Sequence, residues 1–248
     1  MGANNITPFE PTHPGELIKD ELEANVKIND MNTLKEVLEG FKPEFRSEVD
    51  NECFKGLAEA FLYGGYISVS DYNEERYRIF IRTVEFYCHH EGDEKDLPKD
   101  PIVYHRNGHY VEGEVPYFPL LSFHAHASGY DITFENKDLQ LRSSALIRAY
   151  EVYDVIGETF LHYDRTKKLF VGCNDSKDRV NKQSTYLYNF LNGFSGNNIK
   201  WIDAIRNKSE NFKIAPRQNV YMYDEAGNKL SKKDTRPWSF TRTEEIPD

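Results

Sequence analysis

The chain is short of cysteine, of long apolar runs and of positive charge, and each shortage excludes something. Its three cysteines, Cys53, Cys88 and Cys173, are odd in number, far apart and never spaced C-x-x-C. A disulfide framework and a cysteine zinc site are therefore not expected, and the three read as reduced structural thiols. No stretch of about 18 consecutive apolar residues occurs, and the first residues lack a basic segment followed by an apolar one. The expectation is a protein neither inserted in a membrane nor secreted, with the cytoplasm as its default location. The 41 acids outnumber the 31 Lys and Arg residues, for a net charge of −10. That balance argues against a protein that coats nucleic acid non-specifically by neutralising phosphates.

What is present is enough apolar material for a sizeable core: 248 residues, 39% hydrophobic and 14% aromatic. The charge is uneven. Residues 1–100 hold 22 acids and 11 bases, whereas 161–248 hold 11 acids and 16 bases. Two readings of Lys167, Lys168, Lys177, Arg179, Lys182, Lys200, Arg206 and Lys208 stay open, a basic face or ordinary solvated charges.

The order of local patterns reads as an extension, 1–31, followed by one mixed domain, 32–248. The extension holds Pro8, Pro11 and Pro14 and a short helix-capable piece around Leu17, Ile18 and Leu22. Asn32 is a cap candidate for a helix through Leu34, Val37 and Leu38 that stops at Gly40. A second helix is predicted from about Glu52 to Leu62, apolar at Phe54, Leu57, Ala58 and Phe61. Strands are predicted at Tyr66–Val69, 78–88, Tyr130–Phe134 and Ser144–Val152, with a polar, histidine-rich connection over 89–127. Helical patterns resume near Lys182–Asn192 and Ile199–Ile205. Val220–Tyr223 and Trp238–Thr241 read as closing strands, with a turn at 225–228 between them. The strand at 78–88 carries one carboxylate among apolar neighbours, and its alternation places Thr83, Glu85 and Tyr87 on one face.

The order of segments and four local motifs resemble the alkyladenine (3-methyladenine) DNA glycosylases over about residues 50–242. Where that family has an "LARALLG"-like helix end, this chain reads Gly56-Leu57-Ala58-Glu59-Ala60-Phe61-Leu62-Tyr63-Gly64. The strand "I-V-E-T-E-A-Y" is matched by Ile81-Arg82-Thr83-Val84-Glu85-Phe86-Tyr87, and "VLLRA-E" by Ala145-Leu146-Ile147-Arg148-Ala149-Tyr150-Glu151. A "PR-G … PWRF" pair is similar to Pro216-Arg217-Gln218-Asn219 and Arg236-Pro237-Trp238-Ser239-Phe240. The resemblance implies an α+β domain with a curved, mostly antiparallel sheet flanked by helices. It implies Glu85 as the base that activates water, Tyr87 as a stacking wall, and DNA containing damaged bases as partner. His105, His124, His126, Asp131 and Arg148 are the further pocket candidates. Where the family carries its wedge hairpin this chain has Phe123–Phe134, so Phe123, His124 and Tyr130 are the wedge candidates. Separately, residues 6–23 resemble the opening of the host-inhibition-of-growth antitoxins, with no helix-turn-helix after them.

The chemistry asks for little. Breaking an N-glycosidic bond needs a water behind C1′, a base for its proton and a pocket for the leaving nucleobase, and it requires no cofactor. In a duplex the nucleotide must first be flipped out. Three alternatives stand beside this reading. Glu85 could simply pair with Arg148 or Arg82 to tie two strands together. Six of the eight histidines lie between 89 and 126, and with Glu85 and Asp131 they could hold a metal for a hydrolase, although no H-E-x-x-H spacing completes a set. The domain could also be an inactive, glycosylase-like binding module.

Overall fold

The computed structural model describes residues 33–45, 50–92, 97–108, 113–126, 128–173, 175–194, 198–204, 211–223 and 229–243. All of them belong to the unit Thr33–Asp248. The antitoxin-like segment, His109, Arg206, Lys208 and the turn at 225–228 lie outside the described residues.

Two helices come first. Helix α1 (Leu34–Glu39) is capped by Thr33 rather than Asn32, because Thr33 and Glu36 form a reciprocal capping box and the Thr33 side chain accepts from the Glu36 amide. Helix α2 (Glu52–Tyr63) buries Phe54, Leu57, Ala58 and Phe61, the stripe its spacing predicts, and ends at Gly64. The strands follow: β1 (Gly65–Asp71), β2 (Glu74–His90), β3 (Ser122–His126), β4 (Gly129–Thr133), β5 (Leu141–Asp154), β6 (Thr159–Asp164) and β7 (Leu169–Cys173). Then come helix α3 (Ser184–Leu191) and strands β8 (Ile199–Asp203), β9 (Phe212–Ala215), β10 (Tyr221–Tyr223), β11 (Lys229–Lys233) and β12 (Ser239–Arg242).

The architecture is α+β, and the pairings among these strands are antiparallel. One sheet runs β3-β4-β5-β2-β1-β8, with β12 joining β2 to β9 and the β6–β7 hairpin paired to β5. Within the helix predicted over Ile199–Ile205, Ile199–Asp203 is strand β8 instead, and Ile205 lies outside the described residues. The β8 backbone completes the edge of β1, where Ile67 faces Trp201 and Val69 faces Ile199, and tertiary pairing overrides a weak helical pattern. The predicted connection over 89–127 ends in β3, which pairs residue for residue with β4. The two closing strands are not partners of one another: Tyr221–Tyr223 pairs with Lys229–Lys233, and Ser239–Arg242 pairs with β2 and β9.

The core lies between α2 and the sheet and is built mostly of rings. Phe54 of α2 stacks on Phe86 of β2 at 4.8 Å and 6°, and Trp238 closes edge-on against Phe54 at 5.2 Å. Each such side chain contributes roughly 1.5–3 kcal/mol by burial. The three cysteines are free thiols. Burial pushes the Cys53 thiol up to about 12 and Cys88 upward as well, so these two are not reactive thiolates. Among the described residues no helix is long and apolar enough to cross a membrane.

Candidate functional site

The register decides which side chains meet. Phe86, Ala145 and Ile132 lie abreast on β2, β5 and β4 and face the core. Their neighbours along each strand must face the other way. Glu85, Leu146, Asp131 and His124 form one row across β2, β5, β4 and β3, and Tyr87, Ser144, Thr133 and Ser122 form the next. Strand spacing puts Glu85 and Asp131, two strands apart, at roughly 10 Å between backbones. Leu146 lies between them and packs with Tyr87 under Val103 and Val220, which cover this face from the segments 97–108 and 211–223.

A β-bulge supplies the cation. On β5, Ala149 opposes Thr83 and Ile147 opposes Val84, so Arg148 is the extra residue with no partner in the ladder. Its Nε donates to Glu85 Oε2 at 2.6 Å and its Nη2 to the Gln218 carbonyl at 3.1 Å. Arg82, the other arginine at this irregularity, pairs with Glu151 at 3.7 Å instead. Glu85 is 0% exposed. It also accepts from the Gln218 amide at 2.7 Å and from the Tyr87 hydroxyl at 3.2 Å. Glu85 therefore receives three donors, the pattern of a carboxylate. Burial, reinforced by the Glu85 carboxylate, raises the Tyr87 phenol well above its ordinary value, so it remains a donor. Burial works against the Arg148 charge, but Glu85 and Tyr87 outweigh it and hold that guanidinium above its usual value. With its side chain 19% exposed, Arg148 is also where this cluster reaches solvent.

Asp131 organises a second group on the same face. It accepts from Ser144 Oγ at 3.0 Å and lies 3.1 Å from His126 Nε2. His124 meets Ser122 Oγ at 3.0 Å and lays its ring on Phe118 at 3.9 Å; burial and the nearby His105 lower its pKa. His105 is buried against the Glu135 carboxylate, with Tyr104 beside it at 4.6 Å between rings. Tyr104 in turn lies 5.0 Å from the His126 ring. The Tyr104 hydroxyl and His105 Nε2 are buried with no hydrogen-bond partner among the described residues, a state that costs about 1–3 kcal/mol per group unless a ligand completes it. Burial, with Asp131 and Glu135 nearby, drives the Tyr104 phenol upward, so it too is a donor.

All seven candidate residues thus line one side of the sheet or the loop above it. Of the three wedge candidates, Tyr130 is buried in the main core and Phe123 packs against it, while His124 lies opposite Asp131 on the other face of the sheet. Among the described residues no group of three or more His, Cys, Asp or Glu is placed to hold a metal ion. Burial, with Arg106 adding to it, lowers the His89 imidazole to about 4, so it is a neutral side chain at physiological pH.

Sequence reasoning missed the supports. Arg217 is buried beneath the Tyr87 ring at 4.5 Å and pairs with Asp100 and Asp234, and Arg236 bridges the same two aspartates. Arg142 is buried and holds the histidine-rich loop by bonding Glu91, Glu135 and the Val115 and Pro116 carbonyls. The motif residues Arg217 and Arg236 were visible without a role; nothing in the spacing of Asp100, Asp234 or Arg142 points to their partners. The chain matches no protein-family model and none of the curated proteins, so the resemblance to the alkyladenine DNA glycosylases rests on the sequence motifs alone.

Proposed function

We propose that this protein hydrolyses the N-glycosidic bond of a modified purine in DNA, with Glu85 as the base that activates water. The observation that carries the reading is the convergence of the Glu85 carboxylate, the Arg148 Nη2 and the Gln218 carbonyl at the edge of a buried, ring-lined face. A water bound among these groups donates one proton to Glu85 while its oxygen attacks C1′. The bond from C1′ to the purine nitrogen breaks, its electron pair leaves with the base, and Arg148 balances the charge around Glu85. Two of the unpartnered polar atoms, Tyr104 Oη and His105 Nε2, are available to the edge of the base, and the Tyr87 ring, held by Arg217 and packed with Leu146, Val103 and Val220, supports this face from within. The reaction balances with water alone.

One observation favours a second reading. Both Glu85 oxygens are already occupied, and the Glu85–Arg148–Gln218 ring of contacts would clamp the Gln218 turn to the sheet in a protein that only binds. Incubating the purified chain with an oligonucleotide carrying alkylated purines, and measuring free base by mass spectrometry, separates the two. Time-dependent release of the modified purine supports hydrolysis; retention of every base on the strand refutes it.

A further inference from the structure

The start of β2 borders a second site. Tyr77 lies eight residues before Glu85, roughly 27 Å along an extended strand. There a cleft of about 760 Å³ opens between the start of β2, the β6–β7 hairpin and α3. That volume falls within the range of small-molecule sites.

Its walls are aromatic and already fixed. Phe190 meets both Tyr77 and Phe170 at 4.9 Å, and all three pack against the main core. Tyr163 and Tyr186 are stacked at 3.8 Å and 20°, a flat slab whose geometry is set before any ligand arrives. The polar groups are few. Asp154 is neutralised by Arg76 at 3.2 Å and accepts the amides of Ile156 and Gly157. Lys168, exposed on the β6–β7 turn, makes no ion pair among the described residues and is the cation the cleft leaves unmatched. Asn189 adds a side-chain amide, able both to donate and to accept.

A planar ring, a hydrogen-bonding edge and one negative charge match this lining, and a nucleotide combines all three. We infer that the cleft bordered by Tyr163, Tyr186 and Lys168 binds a nucleotide, its base stacked on the tyrosine slab and its phosphate facing Lys168. This inference goes beyond the hydrolysis proposed at Glu85 and stands without it.

The test uses the full chain carrying Glu85→Gln, so that binding is read whether or not Glu85 hydrolyses anything. Adenosine monophosphate, adenosine, inorganic phosphate and a short single-stranded oligonucleotide are titrated and followed by tyrosine fluorescence and ligand-observed NMR. Saturable binding of the monophosphate is expected. Tyr186→Ala should weaken monophosphate and nucleoside alike by about tenfold or more. Lys168→Ala should weaken the monophosphate about two- to fivefold and leave adenosine unchanged. Tighter binding of the oligonucleotide than of the monophosphate would support the site and assign it to a nucleotide within a strand. Absence of saturable monophosphate binding, or affinity unchanged in both variants, overturns the proposal. Lys168 lies on an exposed turn, so its variant decides the matter if Tyr186→Ala fails to fold.

Discussion

Removing the Arg217 guanidinium is expected to be among the most damaging single changes near the site. It would leave Asp100 and Asp234 with Arg236 as their remaining partner, and breaking a buried pair costs about 3–5 kcal/mol. Arg217→Met should lower the unfolding free energy by that amount in urea titration, and Tyr87 should lose its support. Tyr87→Phe is the contrasting case. It deletes one hydrogen bond to Glu85, worth about 0.5–1.5 kcal/mol, and keeps the ring, so base release should slow while substrate affinity holds. At this scale Glu85 and Tyr87 were legible because alternation puts both on one face and the order of motifs marks the strand. The partners of Arg217 were not legible: it lies 117 residues from Asp100 in sequence, and no local pattern encodes such a pair.

Two irregular elements shape the site. The bulge on β5 turns Arg148 toward Glu85, and the tight β3–β4 hairpin returns through Gly129. That glycine sits at φ +151°, and a Cβ there would strike the Ser184 side chain. Gly129→Ala should therefore destabilise by more than about 1 kcal/mol, seen as a lower midpoint in thermal unfolding, and displace the hairpin that carries His124 and His126. Helix α2 was readable because its burial follows the helical period, whereas β2 and β5 are buried almost throughout and were readable as long apolar and aromatic runs bounded by turn residues. Ile199–Asp203 was misread as helix, since five residues hold too little of any period and its strand state comes from pairing with β1. The bulge left no mark either, because inserting a residue shifts the alternation without changing residue type.

For the whole molecule, acid is the expected weakness. The charges of Arg217 and Arg236 outweigh burial and hold the Asp100 carboxyl far below its ordinary value; Asp234 is lowered in the same way. Depressed carboxyls contribute stability that is full above their unfolded value, near pH 4, and is lost as the pH falls toward their folded values. Unfolding followed by circular dichroism should therefore set in below about pH 4, and Arg217→Met should flatten that dependence. The acidic total, −10, makes any affinity for DNA depend on local cations such as the three exposed lysines of β11, Lys229, Lys232 and Lys233, and raising salt should weaken it. The central claim is that the Glu85 carboxylate activates water and is more than a clamp between β2 and the Gln218 turn. The most direct test compares single-turnover release of an alkylated purine by the wild type and by Glu85→Gln, both shown to be folded by circular dichroism. Glutamine preserves size and can still accept from Arg148, so the account predicts a folded protein whose release rate falls at least about 100-fold; equal rates for the two proteins would contradict it.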